Sequence, residues 1–193
     1  MQYICVYTGS NSGARPEYQQ AARALGHELI ARGLGLVYGG GRVGLMGVIA
    51  STMMVEGGEV VGVMPHALFP SEVANTHLTK FYEVGSMHER KALMADLASG
   101  FIAMPGGFGT LDELFEITTW SQLGLHHKPV GLLNVSGFYD PLLAMVAHLV
   151  REGFVQPTGA HTLLHEHTPA ALLDLMMAYS TPNQATTWSD LKP

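Results

Sequence analysis

A glycine-rich turn that runs into an acidic helical segment holds the residues best suited to chemistry. The stretch reads Pro105-Gly106-Gly107-Phe108-Gly109-Thr110-Leu111-Asp112-Glu113. Glycines at the start of a helix clear space around backbone N–H groups that have no partner within the helix, and the helix dipole favours an anion there. The pattern therefore predicts a phosphate site whose contacts are Gly106, Gly107, Phe108, Gly109 and Thr110.

The same segment has a purely structural interpretation. Thr110-x-x-Glu113 is the pattern of a capping box, in which the threonine caps the helix and the glutamate reaches back to the threonine amide. A cap does not explain the glycines at Gly106, Gly107 and Gly109, so we favour the phosphate site. Both interpretations stay open at this point.

Two further glycine-rich turns follow apolar runs earlier in the chain. They read Gly9-Ser10-Asn11-Ser12-Gly13 and Gly39-Gly40-Gly41-Arg42-Val43-Gly44-Leu45-Met46-Gly47. Such turns let backbone approach a ligand, although the same residue types also form ordinary links between a strand and a helix. No turn ends in Gly-Lys-Ser/Thr, which excludes a P-loop, and the second turn fits the dinucleotide fingerprint poorly. We predict ligand contacts at Gly9, Ser10, Gly40 and Gly41.

Two cations lie on the apolar stripe of a predicted helix over residues 87–98. At 100° per residue Arg90 and Lys91 share a face with Met87, Met94 and Leu97. A guanidinium that faces the interior needs an anionic partner, which favours contact with a bound phosphate. The alternative is that both side chains flank the stripe and extend to water, as long basic side chains often do.

Composition limits the classes of partner. The formal net charge is −6 with ten Lys plus Arg, so the clustered cations that grip nucleic acid are not expected. Ten histidines form no His-Glu-x-x-His motif, and no metal site is predicted. The single cysteine, Cys5, lies in an apolar run, and no apolar run approaches the length of a membrane span, so we expect a cytoplasmic protein.

The elements that must position these residues alternate along the chain. Short apolar runs predict strands at 4–7, 35–38, 60–64, 81–84, 101–104 and 130–133. Between and after them, helical patterns cover 17–32, 45–56, 87–98, 110–123, 139–151 and 169–179. This alternation predicts an α/β protein with a Rossmann-like parallel sheet and helices on both faces, a single domain over 1–180 followed by a polar tail over 181–193.

These motifs, in this order, resemble those of the LONELY GUY (LOG) family over nearly the whole chain. The resemblance rests on Gly9-Ser10, Tyr38-Gly39-Gly40-Gly41, Gly44-Leu45-Met46-Gly47, Met87-His88-Glu89-Arg90-Lys91, the Pro105 to Glu113 stretch, Thr119-Trp120-Ser121-Gln122-Leu123-Gly124 and Lys128-Pro129-Val130-Gly131. Asn11 stands where relatives often carry serine. Many relatives bear the misleading label "lysine decarboxylase".

The resemblance implies a cytokinin riboside 5′-monophosphate phosphoribohydrolase, which splits a nucleoside 5′-monophosphate into an adenine-type base and ribose 5-phosphate. It implies that Arg90 and Glu113 are the catalytic pair. It also implies substrate contacts at Lys91, Glu72, Thr119 and the turn from Gly107 to Thr110. No cofactor is implied. A homodimer is expected, which agrees with a charged fraction of only 13%.

Two other functions compete with this one. A pyridoxal-phosphate-dependent lysine decarboxylase would need a Schiff-base lysine, and of the four lysines only Lys91 is near the predicted site. A nucleotide or cofactor carrier could use the same phosphate-binding turns without hydrolysis, because a fold does not fix a function. Glu113 argues against a carrier, since a carboxylate close to a bound phosphate is repelled by it.

Overall fold

A computed structural model of the chain describes residues 2–68, 74–75, 77–160 and 162–180, with the side chains of 158 and 160 left aside. Seven strands are present in this part of the chain: β1 Tyr3–Tyr7, β2 Gly35–Tyr38, β3 Val60–Pro65, β4 Lys80–Val84, β5 Gly100–Ala103, β6 Val130–Leu133 and β7 Leu163–Glu166. The helices are α1 Pro16–Ala31, α2 Gly44–Val55, α3 Met87–Leu97, α4 Phe108–Gln122, α5 Asp140–Arg151, α6 Pro157–Ala160 and α7 Pro169–Met177.

The strands form one parallel sheet in the order β4-β3-β2-β1-β5-β6-β7. From β1 the chain moves outward to one side through β2, β3 and β4, then returns to place β5 on the other side of β1. The order therefore reverses at β1, and the turns that follow β1 and β5 diverge to leave a crevice at the carboxyl ends of the strands. The predicted Rossmann-like sheet is confirmed, and this crevice is where a ligand is expected.

Helices cover both faces of the sheet, as predicted. One face packs against α1, α2 and α7 through residues such as Leu25, Ile49 and Leu172. The other face packs against α3 and α4 through Met94, Leu114 and Ile117, with α5 adding partly buried side chains. The second apolar layer thus holds α3 and α4 on the same face of the sheet, and these two helices carry the predicted catalytic residues.

All six predicted strands and all six predicted helices are found in these positions, with ends that differ by a few residues. The sequence missed β7 and the short helix α6. Strand β7 reads Leu163-Leu164-His165-Glu166, pairs with β6 at the edge of the sheet, and is only partly buried. It has no β-branched residue and no strict alternation, so its strand character depends on pairing with β6.

No helix within the described ranges is long and apolar enough to cross a membrane. The predicted polar tail over 181–193 lies outside the described residues.

Candidate active site

The turns after β1 and β5 are joined directly by hydrogen bonds. The backbone N–H of Gly9 donates to the carbonyl oxygen of Pro105 at 3.2 Å, and the Thr8 hydroxyl donates to the same oxygen at 3.3 Å. The N–H of Leu45, at the start of α2, donates to the Gly9 carbonyl at 3.1 Å. All three glycine-rich segments therefore meet at the switch point of the sheet.

Two of the glycines in these turns lie close to side chains of α3 and α4. A Cβ at position 39 would overlap the guanidinium of Arg90, and a Cβ at position 106 would overlap the side chain of Thr110. The glycine at 39 thus makes room for a cation, and the glycine at 106 lets the Pro105 turn lie against the first turn of α4. A side chain at 106 is therefore excluded sterically, whereas one at 39 would displace the flexible end of Arg90.

A cavity of about 720 Å³ opens where these turns meet. Its volume is within the range of roughly 300–1,000 Å³ that is usual for small-ligand sites. Most of the residues predicted from the sequence line it: Gly9, Ser10, Gly41, Arg90, Gly106, Gly107, Phe108, Gly109, Thr110 and Glu113. The structure therefore brings the three turns, both predicted catalytic residues and the start of α4 to one place.

Three predicted contacts among the described residues, Gly40, Lys91 and Thr119, do not line this cavity. Gly40 adopts a positive φ of 75° beside Phe81. The ammonium group of Lys91 is paired with Asp112 and Glu116 of α4. The Thr119 hydroxyl donates to the carbonyl of Phe115, on an exposed face of α4. Glu72 lies outside the described residues. A substrate role for these four remains a prediction.

The sequence did not single out several side chains of the cavity wall. Tyr18 of α1 and Phe138, after β6, meet edge to face with ring centroids 5.9 Å apart. Asp112 also lines the cavity, next to Glu113 in the chain. Further apolar wall residues are Leu45, Met46, Met64, Leu68 and Met87. Leu45, Met46 and Asp112 lie in the glycine-rich stretches quoted above, and Met87 shares a face with Arg90. The other wall residues come from separate elements, so local patterns gave no signal for them.

Helix α4 begins earlier than the sequence predicted, and this excludes the capping-box interpretation of its first turn, while the phosphate site remains a prediction. The helix starts at Phe108 with Gly107 at the N-cap, and no side chain caps it. Thr110 is therefore already inside the helix, and Glu113 lies in the second turn. The capping-box alternative is wrong, because a capping glutamate must lie in the first turn, three residues after the cap. The first N–H groups of α4 remain without intrahelical acceptors.

Glu113 faces Arg90 across the two helices. Arg90 Nη2 lies 3.2 Å from Glu113 Oε1, and only 12% of the arginine side chain and 9% of the glutamate side chain are exposed. Among the described residues Arg90 Nε is buried without a hydrogen-bond partner. The guanidinium therefore holds the carboxylate with one nitrogen and keeps donor capacity for something else.

Burial raises the pKa of Glu113 above the usual glutamate value. The guanidinium of Arg90 opposes this shift, the carboxylate of Asp112 adds to it, and Lys91 and Glu116 exert smaller effects of opposite sign. The net upward direction means that desolvation outweighs the ion pair. Glu113 is therefore a carboxylate whose proton affinity is increased, as is common for groups that take part in proton transfer.

Lys91 lies on the neighbouring position of α3 but has different partners. Its Nζ is 3.1 Å from Asp112 Oδ2 and 3.1 Å from Glu116 Oε1, with 10% of the side chain exposed. The idea that both cations extend to water is wrong, because Arg90 and Lys91 are each largely buried and paired with carboxylates of α4.

Other contacts fix the elements that carry the site. The hydroxyl of Ser86 caps α3 by accepting from the N–H of Glu89 at 3.1 Å, and the Glu89 carboxylate accepts from the N–H of Gly85 at 2.7 Å. The buried Tyr139 hydroxyl donates to the carbonyl of Met104 at 2.7 Å, directly before the Pro105 turn. The start of α3 and the residue before the Pro105 turn are therefore each held by hydrogen bonds between side chains and backbone.

Within the described part of the chain no three His, Cys, Asp or Glu side chains come together as candidate metal ligands. Cys5 is fully buried in β1, and burial raises the pKa of its thiol.

Comparison with known proteins identifies the family. Residues 46–176 match the family model described as "Possible lysine decarboxylase". The probable cytokinin riboside 5′-monophosphate phosphoribohydrolase LOGL5 of Oryza sativa subsp. japonica is 49% identical over 179 residues, 93% of this chain and 73% of that protein. The chain belongs to the LOG family. Two more relatives carry the name cytokinin riboside 5′-monophosphate phosphoribohydrolase. LOG of Oryza sativa subsp. japonica is 46% identical over 98% of this chain and 79% of that protein. LOG7 of Arabidopsis thaliana is 52% identical over 83% of this chain and 74% of that protein.

Solved structures extend the fold of this LOG-family chain to distant proteins. The molybdenum cofactor binding protein from Rippkaea orientalis superposes with a TM-score of 0.70 at 20% identity, covering 92% of this chain and 96% of that one. The molybdenum cofactor carrier protein from Chlamydomonas reinhardtii gives 0.67 at 19% identity, covering 92% and 99%. At this identity the likeness concerns the fold alone.

Proposed function

We propose that this protein hydrolyses the N-glycosidic bond of adenosine 5′-monophosphates, including N6-modified ones, and releases the free cytokinin or adenine base and ribose 5-phosphate. The observation that carries the proposal is the buried pair Arg90–Glu113 at the wall of a cavity that also contains the N-terminus of α4. The family relationship supports the same reaction, because the relatives named above are phosphoribohydrolases.

The start of α4 is suited to the 5′-phosphate. The N–H groups of its first turn, around Gly109 and Thr110, have no acceptors within the helix, and the dipole adds a positive potential. Binding energy from the phosphate, which does not itself react, then positions the scissile bond between ribose and base.

Glu113 is suited to the reacting carbon. Cleavage of an N-glycosidic bond builds oxocarbenium character on the ribose, and a carboxylate beside C1′ stabilises that charge. The same carboxylate can accept a proton from the attacking water. Burial strengthens both effects, because fewer water molecules screen the carboxylate and its proton affinity is increased.

Arg90 serves a different role from Glu113. Its guanidinium stays charged at neutral pH and therefore does not donate a proton to the leaving base. It fixes the orientation of Glu113 through Nη2, while the other N–H groups of the guanidinium that face the cavity can donate to an oxygen of the phosphate or ribose or to the departing base. The proposed reaction needs no cofactor.

The two competing functions explain the site less well. Lys91 lies between Asp112 and Glu116, in a place that is poorly suited to a Schiff base with pyridoxal phosphate. A carrier gains nothing from a desolvated carboxylate beside its phosphate site. The test is incubation with AMP and with isopentenyladenosine 5′-monophosphate. Release of free base supports the proposal, and binding without release would favour the carrier.

The proposal includes a homodimer, built on an exposed apolar stripe of α4. Phe108, at the mouth of the cavity, is 94% exposed, and Phe115 and Leu123 continue the stripe along the helix. Thr119 lies on the same exposed face, so a symmetric contact could bring Thr119 of one copy to the cavity of the other. Light scattering at micromolar concentration tests this, and a monomer mass would contradict it.

We also propose a cytoplasmic location, because the single cysteine is buried as a free thiol and needs no oxidising compartment.

A further inference from the structure

Lys91 has a role that differs from contact with the substrate. Three ion pairs connect α3 to α4, and they come from two consecutive cations and from three carboxylates within little more than one helical turn. Arg90 takes the middle carboxylate, Glu113, which faces the cavity. Lys91 takes the carboxylates on either side of it, Asp112 and Glu116.

The surroundings of Lys91 hold its ammonium group in place. Burial alone lowers the pKa of Lys91, but hydrogen bonds to Glu116 and Asp112 outweigh that effect, and the net direction is upward. Glu116 is more sheltered than Asp112, with 27% against 60% of the side chain exposed. If Lys91 is removed, solvent therefore screens the negative charge of Glu116 less than that of Asp112.

Several titratable and charged groups act on Glu113 from the elements packed around it. Desolvation and two neighbouring carboxylates favour its protonated form, whereas the two cations favour the ionised form. The charged groups are Arg90 and Lys91 of α3 and Asp112 and Glu116 of α4. Tyr7 and Cys5 of β1 are also close to Glu113, whose carboxylate raises their own pKa values. Of the charged groups, Lys91 is the cation whose contacts are with the two competing carboxylates.

We propose that Lys91 is a positioning residue, which neutralises Asp112 and Glu116 and locks α4 against α3 so that Glu113 stays ionised and aligned with Arg90. This inference rests on the proposed function for its effect on turnover, but its structural part is independent of substrate. The inference assigns different roles to the two adjacent cations. Arg90 lines the cavity, whereas Lys91 does not line it and acts on Glu113 through Asp112 and Glu116 of α4.

A substrate contact and a positioning residue predict different kinetics. If Lys91 held the phosphate, Lys91→Met would raise KM for the nucleoside monophosphate, and no change at Glu116 would repair the defect. If Lys91 acts through Glu113, the same variant leaves two uncompensated carboxylates beside the catalytic one. The acid limb of kcat then moves to higher pH, with kcat lowered about tenfold at mildly acidic pH and KM little changed.

The decisive experiment compares wild type, Lys91→Met and the double variant Lys91→Met/Glu116→Gln. Two readouts are used: kcat and KM on AMP as functions of pH, and titration of the Glu113 carboxyl by 13C NMR, with Glu113→Gln to assign its resonance. We expect Lys91→Met to raise the pKa of Glu113 and the added Glu116→Gln to reverse most of that rise, together with the loss in kcat. An unchanged titration, or a raised KM that Glu116→Gln does not repair, would overturn the inference.

Glu116→Gln alone keeps the test decisive if Lys91→Met does not fold. With Lys91 present it removes one carboxylate next to Glu113, so the acid limb and the NMR titration both move to lower pH. No movement in either would again contradict the inference. If wild type releases no base from AMP, the proposed function fails, whereas the titration still tests the part played by Lys91.

Discussion

Arg90 and Glu113 lie on consecutive helices, and their side chains meet 3.2 Å apart in a largely buried contact between α3 and α4. Desolvation still raises the pKa of Glu113 despite this cation. Arg90 therefore orients the Glu113 carboxylate, although burying that carboxylate costs more electrostatic free energy than the ion pair returns. The pair does not mainly stabilise the fold. That balance explains how one glutamate can both stabilise positive charge and accept a proton.

Substituting Glu113 by glutamine tests whether its charge is used. The amide has nearly the same size and its oxygen can still accept from Arg90, but it carries no charge. We expect the rate of base release to fall by about 100-fold while the melting temperature does not fall. Turnover close to that of wild type would return Glu113 to a structural role.

The pH dependence of kcat follows from the upward shift of Glu113. The ionised form is required, so kcat falls as pH falls through a pKa that lies above the usual glutamate value. A pH profile of kcat on AMP measures this limb. An acid limb at or below the ordinary glutamate range would show that another group controls the rate.

The same shift predicts how stability depends on pH. A group whose pKa is raised on folding contributes stability that is present below its unfolded pKa and is lost as pH rises through the folded value. Glu113→Gln cannot ionise and does not lose that contribution. Urea unfolding at several pH values should therefore show the variant gaining stability relative to wild type as pH rises through the acid limb. A difference that is independent of pH would contradict the shift.

Gly39 offers a test of how Arg90 is placed. Gly39→Ala would put a methyl group into the space of the guanidinium, so we expect kcat to fall at least tenfold as the Arg90–Glu113 contact is displaced. Gly57→Ala is the matched control. Its Cβ would meet nothing within 4 Å, but its φ of 76° is unfavourable for alanine, so it costs about 1 kcal/mol of stability without touching the site. Equal kcat in the two variants would show that Gly39 is not needed for this placement.

The start of α4 predicts a strong demand for the 5′-phosphate. A riboside without that group leaves the N–H groups of the Gly106 to Thr110 turn and the spare donor of Arg90 without their partner. We expect kcat/KM to be at least about 100-fold lower for adenosine than for AMP. Comparable rates would overturn the assignment of the turn as a phosphate site.

Local sequence patterns were sufficient to predict six of the seven strands in the described residues and the three glycine-rich turns, whereas the pairing of Arg90 with Glu113 was implied by the family resemblance. Glycines, strand periodicity and a charged residue on an apolar stripe are patterns within short stretches of sequence. They can be recognised without knowing how distant elements pack together. The edge strand β7 gave no such signal, because its residues are held by pairing with β6 rather than by their own preference.

The remaining errors depend on how elements meet in space. Tyr18 and Phe138 are far apart in the chain, so no window of sequence could pair them in the cavity wall. Lys91 was correctly placed on an inward face, but its partners Asp112 and Glu116 follow from how α3 lies against α4. The capping-box interpretation failed because the N-cap of α4 is Gly107, three residues before Thr110.

The most direct test of the proposed reaction is the balance of products from AMP. Attack at C1′ with the phosphate held at the start of α4 predicts adenine and ribose 5-phosphate in equal amounts, with no inorganic phosphate. Chromatography of the base, an enzymatic assay for ribose 5-phosphate and a colorimetric assay for phosphate, all on one reaction mixture, measure the three products. Release of inorganic phosphate and adenosine would show that attack occurs at phosphorus, and it would contradict the roles given to Glu113 and Arg90.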